Sequence, residues 1–294
     1  YNINIDIFNK LQHTITGWPG GKPNADDSQR PERAEPAKKR SIIFSPHPDD
    51  DVISMGGTFI RLVDQKHDVH VAYQTSGNTA VWDDDALRFV EFSIDFSEKM
   101  GLGKDELKGL YNNMRDFMEK KQPNQVDTPE IQTVKGLIRK GEAIAGARYC
   151  GLEDDHIHFM ALPFYESGKN NKNPVTDLDI QLTMDLLQKV KPEQVFAAGD
   201  FEDPHGTHIV CFNIILEALK RLAKTESWVK DCWLWMYRGA WQEFETHEIE
   251  MAVPLSPQEV ERKKFAIFKH QSQKDRAVFP GDDSREFWKR AEDR

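Results

Sequence analysis

From Ser41 onward, short apolar runs alternate with longer stretches whose apolar residues recur every three or four positions. SIIFS (41–45) predicts a strand, and VISMGGTFIRLVDQK (52–66) a helix with one apolar face. HDVHVAYQTS (67–76) predicts a second strand, and IQTVKGLIRKGEAIAGARYCGL (131–152) a long helix. HIHFMAL (156–162) follows as a third strand, then a helix over DIQLTMDLLQKV (179–190). EQVFAAGD (193–200) is a fourth strand ending in polar residues, HIVCFNIILEALKRLAK (208–224) a helix, and CWLWMYR (232–238) a fifth strand. Strands alternating with helices imply βαβ units, hence an α/β fold with a mostly parallel sheet and helices on both faces. Such sheets bind ligands at the carboxyl edge of their strands. There HPDDD (47–51) follows the first strand and DFEDPHGTH (200–208) the fourth.

Three segments fall outside this alternation. Residues 1–40 include TGWPGGKPNADDSQRPERAEPAKKR, rich in Pro, Gly and charge, and read as a linker or surface arm; NIDIFNKLQHTI before it reads as the end of a preceding helix or domain. About 78–130 separate the second strand from the long helix, more than an ordinary connection. With WDDDALRFVEFSIDFSEKMG and LYNNMRDFMEKKQPNQVDTPE, this segment reads as a helical insertion placed to act as a lid. The tail from Ser256 reads as two helices around a loop. Residues 41–294 are thus expected to form the main domain.

Composition narrows the function. Apolar residues are 38% of the 294, with 17 Phe and 7 Trp, enough for a sizeable core. The net charge of -10 argues against a nucleic-acid backbone as partner. No apolar run has the length of a membrane span, and no signal-peptide pattern opens the chain. Cys150, Cys211 and Cys232 are odd in number and widely spaced, which argues for a reducing, cytoplasmic compartment. Tyr1 stands where an initiator methionine would, so a fragment of a longer polypeptide, or a processed chain, is expected.

The ionisable residues of HPDDD raise the chemical question. Three adjacent carboxylates repel one another, and a bound cation would relieve that repulsion. His47 and Asp50 lie on a loop leaving a strand, and DPHGTH adds His205 and His208. Asp203 is placed as a helix N-cap and Pro204 as first helical residue, which would set His205 and His208 one turn apart on one face. Two imidazoles and a carboxylate with an open fourth position suit a catalytic zinc; iron, manganese and cobalt accept the same donors. Asp49, beside Asp50, is then the natural general base, and the remaining histidine would face a developing oxyanion. Each motif alone has an ordinary reading, as a polar turn and as a helix start. His67, His70, His156, His158 and His247 are scattered and read as surface or core histidines, and Trp82–Asp85 as a helix cap rather than a second metal site.

SPHPDDD with a distal HxxH resembles the LmbE-like (PIG-L) zinc-dependent deacetylases, over about residues 41–275. The resemblance implies a Rossmann-like fold and removal of acetyl groups from N-acetylglucosamine moieties and related amides. It implies His47, Asp50 and His208 as zinc ligands, Asp49 as base and His205 as oxyanion donor. The family usually has glutamate where Asp51 stands; that position is not a ligand, so little loss is expected. IRKGEAIAGARYCGL resembles the family's next helix. There Arg139 is either a substrate contact or a surface arginine paired with Glu142. KFAIFKHQSQ resembles the terminal helix, with His270 either at the pocket rim or structural. The chain as a whole is similar to the C-terminal half of bacterial proteins called glucosamine-6-phosphate deaminases. A fused deaminase domain, a small-molecule amino-sugar substrate and a homo-oligomer are therefore the expected partners, with no membrane or nucleic acid. A non-catalytic sugar-phosphate sensor regulating the deaminase is the alternative, and a two-metal phosphoesterase a third reading.

Overall fold

A computed structural model describes residues 38–169, 172–275, 278–279 and 283–293. The linker expected over 1–40, with the helix end before it, lies almost wholly outside the described residues. Five parallel strands form one sheet in the order β3-β2-β1-β4-β5. They are β1 (Arg40–Ser45), β2 (Asp68–Tyr73), β3 (Ile157–Phe159), β4 (Gln194–Ala198) and β5 (Trp233–Tyr237). The chain first winds outward from β1 to β3, then crosses back to lay β4 against the other side of β1. This places the reversal of winding between β1 and β4, the position at which open α/β sheets leave a crevice.

Alternation along β1 divides the core in two. Ile43 points with Val71, Tyr73 and Phe196 toward helices α1 (Asp50–Asp64), α4 (Pro129–Tyr149) and α7 (Pro257–Ile267). Ile42 and Phe44 point the other way, with Ala72, Val195 and Ala197, toward α5 (Asp177–Val190) and α6 (Thr207–Leu222). All three β1 residues are fully buried, as a central strand covered on both faces requires.

Helices α4 and α7 start at side-chain caps. Thr128 accepts the Ile131 N–H ahead of Pro129, and Ser256 and Glu259 form a reciprocal capping box at α7. The insertion forms α2 (Asp83–Met100) and α3 (Asp105–Lys120), packed on α4 through Val90, Met114 and Ile138. Asp83, Asp84 and Asp85 open α2 without a side-chain cap bond. Asp83 instead binds Lys121 and the buried Lys135. The tail has α7, a short α8 (Gln271–Lys274) and α9 (Phe287–Asp293), not two helices.

Two predicted elements need correcting. The third strand is three residues long rather than HIHFMAL. Met160 and Leu162 still donate to the Tyr73 and Gln74 carbonyls, but Ala161 between them turns to φ 46, which bends the chain off the strand. Helix α6 begins at Thr207, not Pro204; Gly206 ahead of it is left-handed at φ 62. Asp203 still caps it, since its carboxylate accepts the N–H groups of Thr207 (2.8 Å) and His208 (3.2 Å). His205 therefore sits in the turn before the helix, not one turn from His208 on the same face.

Candidate metal centre

The loop after β1 and the start of α6 meet at the reversal point. Asp50 opens α1, and its Oδ2 accepts the His47 backbone N–H at 2.9 Å, which folds HPDD into a tight turn. Three donor atoms then converge: Asp50 Oδ2 lies 3.2 Å from His208 Nε2 and 3.3 Å from His47 Nδ1. His208 Nε2 and His47 Nδ1 are themselves 3.3 Å apart. Donors at about 2.0–2.1 Å from a tetrahedral zinc lie about 3.3–3.4 Å from one another. The triangle therefore fits a zinc-sized ion. Asp50 and His208 are almost fully buried. Burial opposes the charge on Asp50, but His208 and His47 outweigh it and hold the carboxyl well below its ordinary range. Burial likewise opposes charge on His208, yet Asp50, Asp203 and Asp200 push it up to about 9. A proton shared there is one that a cation would displace.

Asp49 and Arg139 form the second layer. Arg139 is 1% exposed, and its Nη2 lies 3.1 Å from Asp49 Oδ1 and donates to the Pro48 carbonyl at 3.2 Å. The pairing with Glu142 weighed from the sequence is not formed, and Arg139 is not on the surface. Glu142 instead accepts from the Ser272 N–H and hydroxyl, each at 2.7 Å. Burial raises the Asp49 pKa; Arg139 pulls it down, and the Asp50 charge adds to the rise. Gly77, at φ 64 in the turn after β2, lets this layer close. A Cβ there would stand 2.9 Å from Pro48 Cδ and 3.3 Å from Arg139 Nε.

Asp51 is not among the converging donors. It is fully buried, bonded to the Tyr73 hydroxyl at 2.9 Å and to the Ser45 hydroxyl at 3.2 Å. Burial pushes its pKa up to about 7. His270 is not at a rim: it is 1% exposed, packed against Gly146 of α4. Burial and the Arg139 charge press its pKa to about 3.

A cavity of about 50 Å³ adjoins His47 and Asp50, and is lined also by Asp49, Arg139, Tyr165, His205 and Trp241 among others. The His205 ring stands edge-on to Phe279, and its buried Nε2 has no hydrogen-bond partner. Sequence patterns did not single out Tyr165 or Trp241. Trp241 is held by Asp200, whose carboxylate accepts the Trp241 and Gln242 N–H groups at 2.7 and 2.9 Å. Asp200 was legible only as the polar end of β4. A second cavity of about 580 Å³, bordered by Trp82, Asp83, Lys121 and Asp127, shares Thr79 and Phe279 with the first.

Residues 42–219, from β1 into α6, match the family model described as GlcNAc-PI de-N-acetylase, PIG-L. The chain belongs to the PIG-L family. Its match with this family ends before β5, so Trp241 and the tail lie beyond it. A curated relative, the glucosamine-6-phosphate deaminase-like protein of Bacteroides thetaiotaomicron, is 54% identical over 297 residues; these are 100% of this chain and 45% of that protein. The chain thus spans less than half the length of that relative. Among solved structures, the N,N'-diacetylchitobiose deacetylase of Pyrococcus horikoshii superposes with a TM-score of 0.52 at 19% identity, covering 92% of this chain and 79% of that one. GalB, the 4-carboxy-2-hydroxymuconate hydratase of Pseudomonas putida, superposes at 0.50 and 15% identity, covering 87% and 83%. The fold is shared by a deacetylase and a hydratase, so it does not by itself select the reaction. No described helix is long and apolar enough to cross a membrane.

Proposed function

We propose that this PIG-L chain is a zinc-dependent N-deacetylase acting on an N-acetylglucosamine-type amino sugar. The observation that carries the reading is the 3.2–3.3 Å triangle of His47, Asp50 and His208 beside a buried, arginine-held carboxylate. A zinc ion held by those three residues would supply Lewis acidity to an amide carbonyl and to water. Asp49 takes the proton of the attacking water, and burial, by raising its pKa, makes it a stronger base than an exposed carboxylate. Arg139 keeps that carboxylate aimed, and as a lining residue of the small cavity it is a candidate substrate contact. His205, with a free Nε2 at the cavity, donates to the developing oxyanion. Asp49, once protonated, returns its proton to the departing amine, giving acetate and a free amino sugar.

The two cavities suit such a substrate. About 50 Å³ is room for one or two waters, hence for a small acyl group and little more. The adjoining 580 Å³ has the size of a sugar site. The length of the Bacteroides relative supports a role beside a fused glucosamine-6-phosphate deaminase domain, where free amino sugar is consumed.

Amine release from a panel of N-acetylated sugars, with and without 6-phosphate, tests the proposal. The zinc-loaded protein should release amine from at least one member. Asp49→Asn should keep its metal and lose about 10²–10⁴-fold in rate. A metal-loaded protein that releases nothing, or an Asn variant as fast as the parent, overturns it.

A further inference from the structure

At the opposite edge of the sheet, folding gathers residues that are scattered in the sequence. Asp68 and His70 alternate on β2 and so face the same side. His156 closes the short turn Asp154–His156 that leads into β3, and His158 lies in β3, in register with Ala72. Asp68 Oδ1 stands 3.4 Å from His70 Nε2 and 3.7 Å from His156 Nε2. All three donor atoms lie within 4.8 Å of one another. The His70 and His156 rings are tilted, with centroids 4.3 Å apart. The expectation that these histidines are separate surface or core residues is thereby corrected.

We propose that Asp68, His70 and His156 form a second divalent-cation site of the zinc class, which clamps the edge strand β3 to β2. The Asp68–His70 separation already matches the roughly 3.3–3.4 Å that tetrahedral coordination needs, and the Asp68–His156 separation is a few tenths of an ångström longer. The His156 side chain, 34% exposed, is free to rotate and close the third. The other nitrogen of His70 is provided for: Nδ1 lies 3.0 Å from His158 Nε2. With the His70 proton on Nδ1, that ring donates to His158 and turns its Nε2 lone pair toward Asp68 and His156. Metal-bound imidazoles commonly have such an outer acceptor. The carboxylate and two lone pairs then converge with no proton between them, an arrangement that a cation stabilises and its absence does not. Solvent reaches Asp68, 45% exposed, so a water can complete the coordination. Its consequence reaches the other edge: β3 runs on into the segment carrying Tyr165, whose ring stands edge-on to His47.

The test is zinc bound per chain, by elemental analysis after equilibrium dialysis of the metal-stripped full chain. The parent should bind about two ions; Asp68→Asn, His156→Ala and His208→Ala about one each; and the His156→Ala/His208→Ala double variant about none. Zinc should raise the melting temperature of His208→Ala and leave that of the double variant unmoved. Asp68 and His156 are partly exposed, and circular dichroism verifies that their variants fold. The proposal is overturned if His208→Ala binds no zinc, or if His156→Ala and Asp68→Asn bind as much as the parent. Failure of the site at His47, Asp50 and His208 reads differently, as a His208→Ala variant with the parent's full count.

Discussion

At the scale of single residues, Arg139 and Asp49 decide what the centre can do. The two are buried against each other, and Arg139 holds down a carboxylate that burial raises. Replacing Arg139 by Met removes that restraint, so Asp49 holds its proton to higher pH. The acid limb of the pH–rate profile should move to higher pH, with zinc content unchanged; a profile that stays put would separate Arg139 from the base. Asp51 gives a second, independent signal. Its ordinary value of 3.8 is raised to about 7 by burial. Below 3.8 folded and unfolded chains both hold the proton. Between there and about 7 only the unfolded chain releases it, so stability declines as pH rises, and above about 7 the difference stays constant. Asp51→Asn should flatten that decline in urea titrations of the metal-stripped protein, and an unchanged slope would show that another group causes it. HPDDD was legible because four ionisable residues in five positions are costly without a cation. Arg139 was only half legible: its partner is Asp49, 90 positions away, rather than Glu142 one turn along the same helix, because helix α4 turns it inward.

At the scale of elements, the centre depends on how α1 is seated. Asp50 is its first residue, and the segment just ahead of α7 packs across it at Gly57, where a Cβ would clash with the Leu255 side chain. Arg61 and Glu259 tie the same two helices at 2.5 Å. Gly57→Val should cost about 1–3 kcal/mol by overpacking, read from chemical denaturation. It should also weaken zinc binding, because α1 cannot shift without carrying Asp50; unchanged zinc affinity would mean that the loop holds itself. The strand and helix pattern was largely readable from apolar periodicity, since a central strand must be apolar on both sides. The start of α6 was not. Asp-Pro satisfies the usual helix-start chemistry, but here the Asp203 side chain reaches over a left-handed Gly206 to cap a helix that begins only at Thr207. That displacement turns His205 into a loop residue aimed at the cavity.

At the scale of the whole molecule, the small cavity at the centre opens beside the larger one that the insertion borders. Thr79 belongs to both and is bonded to the Tyr165 hydroxyl at 2.9 Å. Thr79→Phe should narrow the passage between them. Its kcat/KM should fall about tenfold further for an N-acetylated sugar than for a minimal acetamide; equal losses would place the sugar elsewhere.

By itself the sequence determined the alternation of strands and helices, the carboxyl-edge position of both motifs, and the residue types that suit a metal. These are local properties, set by side-chain periodicity and by the cost of crowding like charges. The tertiary structure decided which residues meet: His47 with His208 across the reversal of the sheet, Arg139 with Asp49, and Asp68 and His70 of β2 with His156 from the turn before β3. Such meetings depend on strand register and helix seating, which arise from burial summed over the whole core and leave no mark at any one position.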